Sequence, residues 1–579
     1  MEPKIFAKFS GKSFNQSHQS LNDWTLVIEH RGDSMLTRMI LSTLVGLGWT
    51  LSAHATTKRY LVTFKTQTAF HQVAQSFKGG VSVMGSQTAQ AIGNAAMDVK
   101  VLDKIGMLAI TADSANIVQL ENSADVARIE EEQFFPAPKP IGTFGDLAPA
   151  SFRKATQMER PWGIDAVKAP EAWNVTKGQG VKVMVIDTGL DKTHPAIASR
   201  FVEGKSFMGG DETNFADDIG HGTHVSGTIL ADGANGGLVG VAPEADLYMA
   251  KVCGSLGCST VAISQAVNWA VEKGVQVVNM SLGGPFMTYA EQQAYDAAEA
   301  AGVMIVAASG NDGKQKVSYP AAYTSNLAVG AVDSTLTKAE FSNWGPELDV
   351  VAPGVEVLSS VPQGTGRTSE VGINFGTGLE TLKSTSFQGS AAIKVSGKPL
   401  VYAALGKPED FSGKDLRGKV ALIARGELLF ADKAKNALAA GAEGIVIFNN
   451  APGLIQGAIT ADGSELPIPV VMIEQTAGEK ARDLLAAGKE VTTDMGVVPS
   501  DYASFQGTSM ASPHAAGVAA LVRGANPALT PAQVREIMKE TATALTPNDQ
   551  NQMGAGLVNA EAAVQRAQET NFLGRVAGF

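Results

Sequence analysis

The spacing of apolar positions divides the chain into blocks with different periods. Residues 59–65, Arg59-Tyr60-Leu61-Val62-Thr63-Phe64-Lys65, alternate as a strand does, and 69–77 read as a helix. A second strand at 107–110, a helix opening at 117–121 and a strand at 126–130 make residues 56–140 a small α+β unit. From residue 161 the rhythm changes. Apolar runs at 181–186, 246–252, 275–280, 303–308 and 327–332 alternate with helical segments. Such alternation predicts an α/β architecture, a doubly wound parallel sheet with helices on both faces. Between about 364 and 500 a third block carries its own strand–helix periodicity: strands at 418–426, 441–450 and 468–473, helices at 430–440 and 476–487. Periodicity of that kind supports an inserted βα-rich domain with its own core over 365–499, rather than a bulky loop.

The N-terminus reads differently again. Residues 1–34 are polar and aperiodic; Met35-Leu36-Thr37-Arg38, an apolar run from 39 to 51 and Ser52-Ala53-His54-Ala55 follow. A basic start, a short apolar core and Ala-x-Ala mark residues 35–55 as a signal peptide, too short to span a bilayer. Export begins at an initiator methionine, so Met35 is the expected start and 1–34 an upstream extension. The expected location is secreted, either extracellular or periplasmic.

Composition narrows the partners. The chain has 579 residues, 44% apolar and 18% charged, which fits several soluble domains. A formal net charge of −11 argues against nucleic acid and anionic membranes. The two cysteines, Cys253 and Cys258, sit in Lys251-Val252-Cys253-Gly254-Ser255-Leu256-Gly257-Cys258. Glycines that permit a tight loop, and an oxidising destination, point to a local disulfide, the alternative being two separate buried thiols.

Three segments carry the chemistry. Gly507-Thr508-Ser509-Met510-Ala511-Ser512-Pro513-His514 opens a small-residue helix, whose N-terminus offers free N–H groups to a developing oxyanion. Val183-Met184-Val185-Ile186-Asp187-Thr188-Gly189 ends a strand on a carboxylate, and Gly220-His221-Gly222-Thr223-His224 starts a tightly packed helix. A nucleophilic serine needs a base, and the base needs a carboxylate to fix its tautomer; Asp187, His221 and Ser509 supply them in that order.

On these motifs the chain resembles the subtilisin-like serine proteases. Ser281-Leu282-Gly283-Gly284-Pro285, Ala307-Ala308-Ser309-Gly310-Asn311, Phe341-Ser342-Asn343-Trp344-Gly345-Pro346 and Val351-Ala352-Pro353-Gly354 match as well, so the likeness covers about 160–360 and 500–565. It implies a serine endopeptidase in which Asp187 orients the imidazole, His221 acts as base then acid and Ser509 attacks. Asn311 takes the oxyanion role with the Ser509 N–H. Ser281, Leu282, Gly283, Ala308, Ser309 and Gly310 line the primary pocket, with Ser318 at its floor. Small uncharged walls imply an apolar or mid-sized residue before the cut. Residues 56–140 take the place of an inhibitory propeptide joined by a linker at 141–160, with self-cleavage between about 136 and 160. The catalytic domain then spans 161–364 and 500–565, followed by a tail at 566–579.

Ser509 lies 288 residues after His221, far more than a minimal member uses, and the excess resembles a protease-associated domain. The likeness implies protein and peptide substrates, the chain's own propeptide as inhibitor, a monomer, and no cofactor in the chemistry. Structural calcium is where it fails. The family's strong site falls on Met158, Ala196 and Ala234, which offer no side-chain oxygens to a hard cation, leaving Asp211, Asp217 or Asp218 as the open alternative. His224 and His514 are read as packing residues and His194 as a loop stabiliser. A catalytically dead binding module would lack the triad, and an esterase would show Gly-x-Ser-x-Gly with the order Ser…Asp…His; neither pattern is present.

Overall fold

The computed structural model describes residues 57–78, 86–138, 141–144, 160–234, 237–455, 457–460, 464–546 and 549–576, all within one compact unit. The expected upstream extension, signal peptide, Met158 and most of the linker lie outside those residues.

An antiparallel sheet of β1 (Thr57–Phe64), β2 (Ala96–Leu102), β3 (Met107–Asp113) and β4 (Val126–Glu131), ordered β2-β3-β1-β4, begins the fold. Helices α1 (Gln67–Gln75), α2 (Gln87–Ala95) and α3 (Ser114–Glu121) accompany it. Strand alternation gives the sheet two apolar faces. Tyr60, Val62 and Phe64 pack with Phe70, Val73 and Ile92, whereas Leu61, Met107 and Ala109 join a cluster with Ala262, Ala266 and Ala294 of the larger domain. After this unit come two short strands, β5 (Phe134–Phe135) and β6 (Ile141–Phe144).

The main sheet uses β7 (Lys182–Asp187), β8 (Phe201–Ser206), β9 (Asp246–Lys251), β12 (Val277–Met280), β13 (Met304–Ala308), β14 (Asn326–Val332) and β15 (Val350–Pro353). Its order is β15-β14-β13-β12-β7-β9-β8, every neighbouring pair parallel. Between β9 and β12 lie a hairpin, β10 (Cys253–Gly254) with β11 (Gly257–Ser259), and helix α5 (Thr260–Lys273). Both faces of the sheet are covered, so neighbouring strand residues go to opposite cores. Val183 and Val185 pack with Val225 and Ile229 of α4 (His221–Leu230) and with Met510, Ala515 and Val518 of α9 (Thr508–Ala525). Met184 and Ile186 face Val261 and Ala266 of α5 and Ala294 and Ala298 of α6 (Tyr289–Ala300). Small residues let α9 approach closely: a Cβ on Gly517 would stand 2.4 Å from that of Val241.

A further sheet grows from one edge of this domain. Strands β16 (Val357–Ser360) and β25 (Tyr502–Gln506) pair antiparallel, with Ser360 opposite Tyr502. Directly beyond them β17 (Gly366–Asn374) pairs with β24 (Thr492–Ser500), starting at Gly366 opposite Ser500. These two belong to an eight-stranded sheet whose central parallel strands are β21 (Val420–Ala424), β22 (Gly444–Phe448) and β23 (Val470–Ile473), flanked by α7 (Phe430–Ala439) and α8 (Gln475–Ala486). It has its own two apolar clusters. At the chain end, α10 (Pro531–Glu540) precedes a helix, α11 (Ala560–Val576), so most of the segment expected as a tail from 566 is helical.

Candidate active site

In a parallel sheet all strands end at one edge, and there the reactive groups collect. Asp187 is the last residue of β7 and His221 the first of α4; both are buried, with His221 Nδ1 2.8 Å from Asp187 Oδ1. The Thr188 N–H also donates to Asp187 Oδ1, at 2.7 Å. A carboxylate on Nδ1 fixes the proton there and leaves Nε2 as the basic nitrogen. Asp217 organises the approach to α4. Its Oδ1 accepts from Thr188 Oγ1 (2.8 Å), Ile219 N (3.2 Å) and Gly220 N (2.8 Å), and its Oδ2 from Thr223 N (2.8 Å) and Thr223 Oγ1 (2.7 Å).

Ser509 is the second residue of α9, so its N–H has no acceptor within the helix. Gly507 enters the helix at φ 148° and ψ 161°, a backbone region essentially reserved for glycine. The Ser509 hydroxyl donates to the Ser281 carbonyl at 3.0 Å; among the described residues no hydrogen bond joins it to His221, so its hydroxyl must turn for proton transfer. The Ser281 hydroxyl donates to the Ser509 carbonyl (2.7 Å) and accepts from Asn279 Nδ2 (3.0 Å), while Ser512 Oγ donates to Asn279 Oδ1 (2.7 Å). This buried chain ties the start of α9 to the end of β12. Asn311 Oδ1 accepts from both the N–H and the hydroxyl of Thr508, each at 2.8 Å. With its oxygen committed, the exposed Asn311 keeps its Nδ2 donors available, beside Gly507.

Sequence reasoning missed Asp217 as an organiser, and Thr508 and Asn343 as supports. Asn343 Oδ1 accepts from Asp312 N (3.0 Å) and Lys314 N (3.1 Å), its N donates to Gly310 O (2.9 Å), and its Nδ2 donates to Ser318 Oγ (3.3 Å). One side chain thus shapes the loop carrying Asn311. The Thr-Ser-Met run and the Asn343 segment were visible as motifs, but nothing in their spacing shows which side chain bonds to which.

The proposed pocket residues gather on two neighbouring strand ends. Ala308, Ser309 and Gly310 follow β13; Ser281, Leu282 and Gly283 follow β12. Ser318 joins them through its N–H to Ser309 O at 2.9 Å, and a Cβ on Gly310 would lie 2.4 Å from Ser318 Oγ. A Cβ on Gly283 would lie 2.6 Å from the Tyr319 carbonyl. Both glycines are therefore required by close packing.

Cys253 and Cys258 form a disulfide across the β10–β11 hairpin. Three further histidines, His224, His514 and His194, bond to backbone carbonyls. His224 Nε2 reaches the carbonyls of Val357 (3.0 Å) and Ala503 (3.1 Å), and its ring stacks on Phe505. Burial, then the neighbouring His221, holds its pKa down to about 3. His514 Nδ1 donates to Met510 O at 2.8 Å, and burial lowers its pKa to about 4. His194 Nε2 donates to Asp501 O at 2.9 Å.

The alternative calcium set does not converge. Asp217 is spent on α4, Asp218 pairs with Lys251 at 2.9 Å, and Asp211 accepts from Thr213 N and Oγ1. Among the described residues no group of three or more His, Cys, Asp or Glu could hold a metal ion. Ala196 and Ala234, two of the positions of the family's usual strong calcium site, bring no side-chain oxygen to it.

The N-terminal sheet lies against this domain. Glu130 accepts from the N–H groups of Tyr289 (3.0 Å) and Ala290 (2.7 Å), at the start of α6. Glu132 accepts from Arg59 and from Ser259, the N-cap of α5. Strand β5 pairs with β11, Phe135 opposite Cys258, and the Phe135 ring covers Gly284 so closely that a Cβ there would lie 2.2 Å away. Strand β6 pairs with β25, the strand that leads into Ser509, Ile141 opposite Gln506.

An Asp-His pair beside a helix-borne serine, on a doubly wound parallel sheet, defines a class of serine hydrolase. The chain belongs to the subtilase family, whose model matches residues 178–397 and 451–556; a PA domain model matches 395–481. It is a subtilisin-like serine endopeptidase. Over 536 residues it is 30% identical to alkaline elastase YaB of Bacillus sp. (strain YaB), covering 91% of this chain and 97% of that relative. Subtilisin Savinase of Lederbergia lenta is 48% identical over 207 residues, 35% of this chain and 76% of the relative. Among solved structures, the psychrophilic subtilisin-like protease Apa1 from the Antarctic psychrotroph Pseudoalteromonas sp. AS-11 superposes with a TM-score of 0.54 at 30% identity, covering 71% of this chain and 99% of that one.

Proposed function

We propose that Ser509, His221 and Asp187 form the catalytic triad of an exported, self-processing endopeptidase of broad specificity. The observation that carries this reading is the buried Asp187–His221 hydrogen bond beside a serine in the first turn of α9. Ser509 Oγ attacks the peptide carbonyl while His221 Nε2 takes its proton, and the carbonyl electron pair moves onto oxygen. Asn311 Nδ2 and the Ser509 N–H receive that oxyanion. As the C–N bond breaks, the imidazolium returns the proton to the leaving amine; water, activated by the same nitrogen, then hydrolyses the acyl-enzyme. Asp187 holds the tautomer throughout. The uncharged pocket around Ser281, Gly283, Ser309 and Gly310 suits an apolar or mid-sized residue before the cut.

Residues 56–140 act as the inhibitor, and Glu130 and Glu132 at two helix starts of the catalytic domain support that role. A linker anchored at Phe135 on β11 and again at Ile141 on β25, the strand leading into Ser509, supports cleavage in cis. Among the described residues no helix is long and apolar enough to cross a membrane. The test is Ser509→Ala: expressed beside wild type, it should remain full length by mass spectrometry and hydrolyse no casein. A purified variant that still processes itself would overturn cis cleavage; one that still hydrolyses casein would overturn the assignment of the nucleophile.

A further inference from the structure

Helix α6 begins beneath two carboxylates. One belongs to the N-terminal unit: Glu130 of β4 accepts from the N–H groups of Tyr289 (3.0 Å) and Ala290 (2.7 Å), the first two residues of the helix. The other is the helix's own third residue, Glu291, which is 1% exposed. A Thr-x-x-Glu start ordinarily sends the glutamate back to the N–H of the capping threonine. Here the Thr288 N–H donates to the Tyr323 hydroxyl at 2.9 Å, and the Glu291 carboxyl is buried instead. It accepts from Thr288 Oγ1 (3.0 Å) and from Tyr295 Oη (3.4 Å), both neutral, and among the described residues no cation pairs with it.

A buried carboxyl with only neutral donors is more stable as the acid than as the anion. Burial raises the pKa of Glu291 to about 7, and Glu130 adds to the rise. The other neighbours bring no compensating charge. Tyr295 on α6 and Tyr323 from the loop before β14 are the ionisable groups beside it within the catalytic domain. Leu61 of β1, Ala262 and Ala266 of α5 and Ile305 of β13 join Ala290 and Ala294 in one apolar cluster. Arg128 of β4 lies over the exposed Tyr289 ring, 5.2 Å from its centroid. A helix start carries about half a positive charge, felt only within the first turn. An ionised Glu291 competes with Glu130 for that half-charge and repels it; a protonated one does neither. Linkage then gives the sign. Departure of the N-terminal unit takes Glu130 away, so Glu291 holds its proton less tightly in the released enzyme than in the complex. The complex keeps its full strength at acid pH and loses part of it as pH rises through about 7.

We propose that Glu291 is a proton-operated latch on the N-terminal unit: protonated, it lets Glu130 cap α6, and ionised, it weakens that grip, so that release of the unit is favoured as pH rises. The inference rests on residues 56–140 being the inhibitor.

The experiment starts from the full-length chain. Purified precursor is allowed to cut itself, and the non-covalent complex is diluted into a peptidyl nitroanilide at several pH values. The immediate rate, divided by the rate after prolonged incubation has digested the released unit, is the fraction of enzyme free. This ratio cancels the effect of pH on catalysis, and its dependence on dilution gives a dissociation constant. Between about pH 6 and pH 8.5 that constant should rise about fivefold more in wild type than in Glu291→Gln, the scale of one charge at a helix start. Whatever His221 contributes is common to both proteins and cancels in the comparison. Glu130→Gln should bind more weakly than wild type at acid pH and depend less on pH, because the repelling charge is gone. It carries the test if Glu291→Gln fails to fold. A wild-type slope that survives either substitution overturns the latch, and so does a wild-type constant that does not change with pH. Immediate and final rates equal at every pH would instead refute the inhibitor reading, and this inference with it.

Discussion

Replacing Asp217 with alanine tests whether the base is positioned by the loop before its helix. The carboxylate accepts five hydrogen bonds, from Thr188, Ile219, Gly220 and twice from Thr223. Counting each at the ~1.5–3 kcal/mol of a bond to a charged group would exceed the whole stability of many domains. Burial decides how much survives. Asp217 and Ile219 are half-buried, and Gly220, though buried, lines a cavity beside Ile219, so water can reach those two N–H groups once the side chain is gone. Thr188 and Thr223 are fully buried, so their two hydroxyls and the Thr223 N–H stay dry. Three stranded donors at about 1 kcal/mol each give a loss of ~3 kcal/mol. Denaturant unfolding should be compared in the Ser509→Ala background, where autolysis cannot interfere. In the active enzyme kcat on a nitroanilide should fall more than KM rises, because Thr188 also holds the Gly222 N–H (2.9 Å) and donates to Asp187, and His221 rests on both. Asp217→Asn, keeping one acceptor oxygen, should fall between. A stability loss under ~1 kcal/mol, or activity within threefold of wild type, would show that His221 is held without this loop.

Asn311→Leu should lower kcat by ~10²–10³ with little change in KM, a scale set by an oxyanion donor in a member of this family; equal losses expressed only in KM would sink the role. Removing residues 368–498 and joining the ends with a short turn should leave nitroanilide hydrolysis intact, since Thr368 and Val498 are direct register partners in the β17–β24 ladder, while protein over peptide turnover should change; an unchanged ratio would mean the insert takes no part in selection. Stability of the Ser509→Ala protein should fall as pH drops from about 6.5 toward 4. His224 and His514 are held at about 3 and about 4, so in that window the unfolded chain binds protons that the folded one refuses, with a slope of up to ~1.4 kcal/mol per pH unit for each. Glu291 has the opposite sign: burial raises its pKa to about 7, so its contribution is full below about 4.5 and lost as pH rises through 7. Glu291→Gln should therefore steepen the acid loss, as read from unfolding curves at four pH values.

What the pattern revealed depended on how many faces an element buries. Strands buried on both sides, such as β7 and β13, show as unbroken apolar runs, and their order on one sheet edge could be expected from the motifs they end on. Helix α2 and strand β2 were not seen. Gln87–Ala95 buries only Thr88, Ala89 and Ile92, a stripe with one large apolar residue, and β2 buries only Leu102, so neither presents a strong apolar run. Asp187, His221 and Ser509, the proposed triad, could be singled out from sequence because the chemistry proposed for them demands those residue types. Asp217 and Asn343 could not, because a supporting carboxylate or amide looks like any loop residue until its partners are placed. The same limit let Asp211, Asp217 and Asp218 stand as possible cation ligands: sequence supplies the charges, but not the donors that already occupy them.

The place of the insert follows from strand pairing rather than from the active site. A hairpin end tolerates an added domain when the domain's own first and last strands pair, because the closure is then made by hydrogen bonds and not by a strained loop. Gly366 opposite Ser500 meets that condition, six residues beyond Ser360 and two before Tyr502. A Cβ on Gly366 would lie 2.2 Å from the Tyr502 carbonyl, so the two ladders meet with no space for a side chain. The consequence is mechanical. The returning strand β24 passes into β25, and β25 into Gly507 and Ser509, so any tilt of the insert is delivered within nine residues to the nucleophile. Arg367, whose guanidinium bonds the carbonyls of Gly364, Thr365 and Gly366 (3.2, 3.1 and 3.0 Å) and Glu465 of the insert (3.0 Å), braces that junction. An insert on a floppy joint could only screen large substrates. One joined through a paired and braced ladder passes its position directly to the strand that carries Ser509.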